Sequence, residues 1–203
     1  PEPLPEILKR VSRSCALSLA ILPRSLRGPL GLAYLLARAA DTIADTRILP
    51  RADRLRYLEL LRREFDRPDR SRLPEIAAGL TAAQSDAAER ELLLRLPACF
   101  EALAGLSPDD RARIRRVLHL LMDGMQADLH TFPGEDAAGL AALDSRADLE
   151  RYTYYAAGCV GEFWTEMAMA HRPACGRWDP DVMRRRGVRF GQALQMTNVL
   201  RDL

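Results

Sequence analysis

The chain has 203 residues, 48% of them hydrophobic and 29% charged, which is long and apolar enough to bury a sizeable core and argues against intrinsic disorder. A net charge of +2, without a basic patch interleaved with aromatic side chains, argues against nucleic acid as a partner. Four dispersed cysteines and three unclustered histidines disfavour disulfides and structural zinc, so a reducing, cytoplasmic setting fits best.

Hydrophobic residues recur with helical spacing along nearly the whole chain, and no run of alternating β-branched residues indicates a strand. The predicted fold class is therefore all-α. The first predicted helix covers residues 5–22, and the second runs from an N-cap at Ser25 to near Pro50. A third covers 51–67, and two shorter helices divided at Pro97 occupy 75–105. Three more helices are predicted to begin after the N-caps Ser107, Ser145 and Asp179.

The second helix carries a column of polar side chains. Tyr34, Arg38, Asp41 and Asp45 follow one another at intervals of three or four residues, so they share one helix face. In most proteins two carboxylates at this spacing belong to a solvated face with a local arginine partner. This stretch by itself does not distinguish such a face from a functional site.

The helix after Ser107 combines an apolar face with one carboxylate. Asp128 lies close to that face and therefore needs a partner, which could be an arginine, a backbone donor or a metal ion. Gly124 weakens the helix, and a close helix crossing is the usual reason for a glycine in that place. The apolar face is predicted to consist of Leu118, Leu121, Met122, Met125 and Leu129.

The last two helices complete the set of candidate functional residues. Three tyrosines and a run of small residues share the segment 152–161, where small residues either allow close packing or leave room for a long ligand. Tyrosines on helices more often pack than catalyse. Asn198 and Asp202 stand four residues apart, with Gln195 one turn earlier. Two helices thus end in pairs of oxygen ligands, a pattern suited to Mg²⁺ bridged to a diphosphate, whose departure the metal would promote.

Five motifs, in this order along the chain, resemble those of the squalene/phytoene synthase family, the head-to-head branch of the trans-isoprenyl diphosphate synthases. The resemblance implies a single-domain helical bundle of the isoprenoid-synthase type with a central cavity, over residues 1–203, and we expect further C-terminal helices beyond Leu203. It also implies condensation of two prenyl diphosphates through a cyclopropylcarbinyl diphosphate. The motifs occupy residues 12–14, 34–45, 122–128, 152–161 and 191–202.

The same resemblance assigns roles to individual residues. Tyr152 would assist proton transfer, and Asp41, Asp45 and Asp202 would also be catalytic. The expected ligands of magnesium-diphosphate are Asp41, Asp45, Asp128, Asn198 and Asp202. The residues expected around the substrate are Ser12, Arg13, Ser14, Tyr34, Arg38, Gln195 and Arg201. Two departures stand out, because Cys15 occupies a position where the family usually has phenylalanine, and the usual further acids after Asp202 are missing.

The expected activity is a Mg²⁺-dependent prenyltransferase that joins two farnesyl diphosphates into squalene or dehydrosqualene, with NADPH as a second cofactor if squalene is the product. Phytoene formation from two geranylgeranyl diphosphates is the nearest alternative. An alternative of another class is a noncatalytic helical protein that kept the fold for assembly or lipid binding.

Because the expected substrates and product are hydrophobic and no apolar run is long enough to span a bilayer, we expect peripheral membrane association. The sequence leaves the oligomeric state open.

Overall fold

The computed structural model describes residues 4–12, 15–132 and 142–201. Within these ranges the regular structure is helical and no strand occurs, which confirms the all-α prediction. The chain forms two compact units, Pro1–Leu118 and His119–Leu203. The expectation of a single domain over residues 1–203 stays a prediction.

The first unit is built around its third helix. α3 packs against α1, α2, α4, α6 and α7, and the fully buried side chains Leu36 and Ile43 belong to it. The helices of this unit are α1 Leu4–Val11, α2 Cys15–Ala20, α3 Arg24–Asp45, α4 Arg51–Asp66, α5 Leu73–Thr81, α6 Ala87–Leu94, α7 Leu96–Ala104 and the beginning of α8 Pro108–Thr131, which continues into the second unit.

The predicted bounds of the first two helices are wrong. The expected helix over 5–22 is two helices, α1 and α2, with the polar segment that starts at Ser12 between them. Ser25 is not an N-cap, because α3 begins at Arg24 after Pro23 and no side chain caps it. α3 ends at Asp45 rather than near Pro50. Directly after that end, the Thr46 hydroxyl donates a hydrogen bond to the carbonyl of Thr42 at 2.6 Å.

Other predicted elements agree with the structure. α4 matches the prediction for 51–67, and the division near Pro97 is confirmed as a break at Arg95. A further break before Ala87, where the Asp86 side chain caps α6, was not predicted. The predicted N-caps are confirmed by hydrogen bonds from Asp110 N to Ser107 Oγ, from Asp148 N to Ser145 Oγ and from Val182 N to Asp179 Oδ1.

The second unit contains one long interrupted helix and the last helix of the described chain. The long helix consists of α9 Arg146–Thr153, a π-helical turn Tyr154–Gly158 and α10 Cys159–His171. A short 3₁₀ helix, Pro173–Arg177, then leads to α11 Pro180–Arg201. The prediction of one long helix after Ser145 is confirmed, with the π-helical turn as an interruption that periodicity did not show.

Glycines allow α11 to pack tightly on α10 and the π-helical turn. A Cβ atom on Gly187 would stand 3.0 Å from the carbonyl carbon of Gly161, and one on Gly191 would stand 3.0 Å from the Cα of Gly158. The small residues of the 152–161 segment therefore serve close packing at these positions. The predicted crossing at Gly124 is also confirmed, since a Cβ there would lie 2.8 Å from that of Tyr155.

Candidate active site

The central feature of the first unit is an arginine held between two partners on α3. Arg38 Nη1 donates to Asp41 Oδ2 at 2.7 Å, and Arg38 Nη2 donates to Tyr34 Oη at 3.0 Å. The guanidinium carbon also lies 5.7 Å from the centre of the Tyr34 ring, within the range of a cation–π contact. Tyr34 Oη in turn donates to the carbonyl of Val11 at 3.4 Å. Three of the four residues of the predicted column, Tyr34, Arg38 and Asp41, thus form a connected network that fixes the orientation of Arg38.

The two aspartates of α3 lie in an environment that opposes their charge. The pKa of Asp41 is raised to about 6, mainly by burial and then by the neighbouring carboxylates of Asp45 and Glu89, against the opposing effect of Arg38. Partial desolvation also raises the pKa of Asp45, although that residue is exposed at the end of α3 and nearby arginines oppose the shift. A cation brought to this face would relieve the repulsion between the carboxylates.

Glu89 is a carboxylate near this face that the sequence analysis missed. Its Oε2 accepts hydrogen bonds from Thr42 Oγ1 and from Gln84 Nε2, both at 3.1 Å. In the sequence, an acid three residues after Asp86 indicates only the start of a helix. No local signal relates Glu89 to Thr42, because α6 and α3 meet only in the tertiary structure.

Ser12 is the described part of the predicted Ser-Arg-Ser motif. It is buried between α1 and α2, and its Oγ has no hydrogen-bond partner within the described ranges. Such an unpaired buried hydroxyl is costly unless a ligand or water satisfies it, which suits a residue that contacts diphosphate oxygens. The predictions for Arg13 and Ser14 lie outside the described residues.

In the second unit, two residues with predicted roles contact each other. Gln195 Nε2 on α11 donates to Tyr152 Oη on α9 at 3.3 Å. Gln192, one turn before, donates to the carbonyl of Glu150 at 2.9 Å and ties the same two helices together. The half-buried hydroxyl of Tyr152 is therefore oriented by a neighbouring amide, as a group that handles a proton requires.

The neighbouring tyrosine has a different environment. Tyr154 Oη donates to Glu162 Oε2 at 3.2 Å, and burial together with the Glu162 carboxylate raises the pKa of Tyr154 to about 12. Its phenol stays protonated at neutral pH. Tyr154 begins the π-helical turn, and such turns occur frequently at functional sites. The two tyrosines thus differ in their partners, and the catalytic role of Tyr152 stays a prediction.

Comparison with known proteins agrees with these features. A family model described as squalene/phytoene synthase matches residues 8–203. The chain belongs to the squalene/phytoene synthase family. A squalene synthase from Eremothecium gossypii is 28% identical over 97% of this chain and 42% of its own length. A bifunctional lycopene cyclase/phytoene synthase from Arthroderma gypseum is 30% identical over 97% of this chain and 31% of its own length.

A solved structure gives the same result for the fold. TcSQS in complex with the ligand BPH1237 superposes with a TM-score of 0.71 at 24% identity, covering 98% of this chain and 52% of that one. The chain therefore spans about half the length of that structure and less than half of the curated relatives. At this identity the solved structure supports the family's all-α fold.

The remaining predicted ligands of the family's magnesium-diphosphate belong to the second unit. Asp128 is half-buried on α8, while Asn198 and Arg201 are exposed on the last turns of α11. Asp202 lies outside the described residues. The structure does not test the roles of these four residues, which stay predictions.

Two carboxylates of α3, Asp41 and Asp45, are the predicted metal ligands of the first unit. No group of three or more His, Cys, Asp or Glu side chains that could hold a metal occurs in the part of the chain that the structure describes. Mg²⁺ is usually held by only one or two carboxylates, with water and substrate phosphates as the other ligands. Asp41 and Asp45 could serve as those carboxylates, because a bound cation would offset the desolvation and the carboxylate repulsion that raise the pKa of Asp41.

Proposed function

We propose that this member of the squalene/phytoene synthase family is a Mg²⁺-dependent prenyltransferase that condenses two prenyl diphosphates head to head. The observation that carries the proposal is the network of Tyr34, Arg38 and Asp41, which presents an oriented guanidinium next to acids whose pKa values are raised. Membership in the family supports the reaction class.

Each residue of the first unit has a distinct part in this proposal. Asp41 and Asp45 hold the metal, and the fork-shaped guanidinium of Arg38 binds diphosphate oxygens. Because Tyr34 and Asp41 already fix Arg38, little side-chain freedom is lost when substrate binds. Ser12 donates its unpaired hydroxyl to the diphosphate. Bound Mg²⁺ would neutralise the charge that develops on the leaving diphosphate and so promote ionisation of the carbon–oxygen bond.

Residues of the second unit have proposed roles of their own. Tyr152, oriented by Gln195, holds or transfers the proton that is lost after the carbon–carbon bond forms. We assign Asn198 and Asp202, with help from Asp128, to metal binding, and Arg201 to diphosphate, on the family resemblance. These assignments rest on the motifs, whereas the role of Tyr152 is also supported by its contact with Gln195.

Two farnesyl diphosphates are the proposed substrates, and squalene or dehydrosqualene the product. Relatives named squalene synthase in Eremothecium and Botryococcus support this choice. NADPH is required only if the product is squalene. Phytoene formation from two geranylgeranyl diphosphates is a second candidate, supported by the relatives named bifunctional lycopene cyclase/phytoene synthase.

Since the prenyl chains of the substrates and the hydrocarbon product are hydrophobic, we also propose peripheral association with membranes. No helix in the described ranges is long and apolar enough to cross one.

The test is incubation of the protein with Mg²⁺ and each diphosphate in turn, with the hydrocarbon product identified by mass. Asp41→Asn should lower turnover on the order of 10²-fold or more, as loss of a group that stabilises transition-state charge typically does. Asp53→Asn, an acid in the first turn of α4, is the matched control and should leave turnover unchanged. Full activity of Asp41→Asn at limiting Mg²⁺, or diphosphate release in neither incubation, would contradict the proposal.

A further inference from the structure

Leu17 on α2 and Ile21, directly after the end of α2, are two large apolar side chains exposed next to each other. Leu17 is 74% exposed and Ile21 is 76% exposed, whereas Leu19 is only 3% exposed and anchors the segment to the core. Ile21 N donates to the carbonyl of Leu17 at 3.2 Å, so Ile21 continues the helical register just after α2 ends. Exposed apolar residues are ordinary when scattered singly, but two neighbours on one face form a patch.

Basic side chains border these two residues. Arg24 and Arg27 are exposed in the first turn of α3, immediately after α2. Arg27 Nη2 donates to the carbonyl of Leu22 at 2.9 Å, which holds its guanidinium at the end of the α2 segment. We name Leu17, Ile21, Arg24 and Arg27 the α2 patch.

The sequence around the α2 patch has one sign of charge. Between Glu6 and Asp41 it contains no acidic residue. The basic residues in the same interval are Lys9, Arg10, Arg13, Arg24, Arg27 and Arg38. Lys9 is paired with Glu6, and Arg38 is paired with Asp41. The positive charge of the α2 patch therefore comes from its own exposed arginines, Arg24 and Arg27.

We propose that the α2 patch docks on an anionic lipid surface. Leucine and isoleucine side chains enter the boundary between headgroups and acyl chains, and nearby arginines bind lipid phosphates. A second copy of the chain would cover the apolar pair but would bring together two surfaces of the same charge. An anionic membrane would instead offer acyl chains to the two apolar side chains and phosphate groups to the two arginines. This inference deepens the peripheral association proposed above by naming the surface responsible.

The test is co-sedimentation of the protein with vesicles, without substrate or Mg²⁺. Wild type should bind vesicles of equimolar phosphatidylcholine and phosphatidylglycerol much more tightly than vesicles of phosphatidylcholine alone, and added salt should weaken that binding. Leu17→Glu and Ile21→Asp should each weaken it on the order of tenfold. Ile48→Asp is the matched control, because Ile48 is 75% exposed but lies outside the patch, and it should bind like wild type.

A second pair of variants tests the charges. Arg27→Gln should weaken binding to the mixed vesicles about fivefold. Arg111→Gln is its control, because Arg111 is also exposed and also donates to backbone carbonyls, those of Ala104 and Leu106, and it should have no such effect. Circular dichroism should show that all variants keep their helical content.

Several results would overturn the inference. Equal binding to neutral and mixed vesicles, an equal loss in the control variants, or a concentration-dependent dimer that Leu17→Glu abolishes would each contradict docking on lipid. The assay is independent of catalysis, since Asp41→Asn should bind vesicles like wild type even if it is inactive. Failure of the proposed function and failure of this inference can therefore be told apart.

Discussion

Replacement of Gly191 by alanine should destabilise the second unit, because the added methyl group would meet backbone. The nearest atoms are the carbonyl oxygen and carbon of Ala157 and the Cα of Gly158, the last at 3.0 Å. None of them can move as a flexible side chain would, so α11 must shift away from the π-helical turn. Overpacking of this kind costs about 3 kcal/mol, while alanine is favoured over glycine in a helix by about 1 kcal/mol. The expected net loss in the free energy of unfolding is about 2 kcal/mol.

Gly28→Ala is the matched control for this prediction. Gly28 also lies inside a helix, α3, but a Cβ there would have no heavy atom within 4 Å. The control should therefore gain about 0.5–1 kcal/mol from helix propensity alone.

Thermal and urea unfolding of both variants measure the difference. The melting temperature should fall by about 4–8 °C for Gly191→Ala and rise by about 1–4 °C for Gly28→Ala. The alanine at position 191 should also lower turnover, since the shift of α11 would separate Gln195 from Tyr152. A Gly191→Ala protein that melts at or above the wild-type temperature would refute the close packing of α11 described above.

Four further predictions concern charged and polar groups. Because folding raises the pKa of Asp41 from 3.8 to about 6, wild type should lose stability relative to Asp41→Asn as the pH increases through that interval. Urea unfolding at several pH values measures this loss, which should be on the order of 1 kcal/mol or less since the side chain is 41% exposed. Glu89→Gln should lower the pKa of Asp41 in an NMR titration, and an unchanged pKa would exclude their coupling. Tyr152→Phe should reduce turnover about 10²-fold with little change in substrate binding, whereas unchanged turnover would leave Tyr152 a packing role. Glu64→Ala should cost about 2–3 kcal/mol in urea unfolding, because the buried carboxylate accepts a hydrogen bond from a loop amide. Glu59→Ala, at a half-exposed glutamate of the same helix, should cost less than about 1 kcal/mol.

Local features of the structure could be predicted from the sequence because they depend on residues a few positions apart. Helical periodicity identified the all-α class, and three N-caps followed from a polar side chain that bonds an amide two or three residues later. The column of Tyr34, Arg38 and Asp41 is of the same kind, because helix geometry alone places residues at this spacing side by side.

Features that join distant parts of the chain came only from the tertiary structure. Glu89 and Thr42 are 47 residues apart, and Gln195 and Tyr152 are 43 residues apart, so no local pattern relates the members of either pair. The raised pKa of Asp41 depends mainly on burial, which spacing within a helix does not determine. The sequence by itself thus determined which chemical groups share a helix face, whereas packing decided which of them are buried, charged and oriented, because those properties depend on neighbours from other helices.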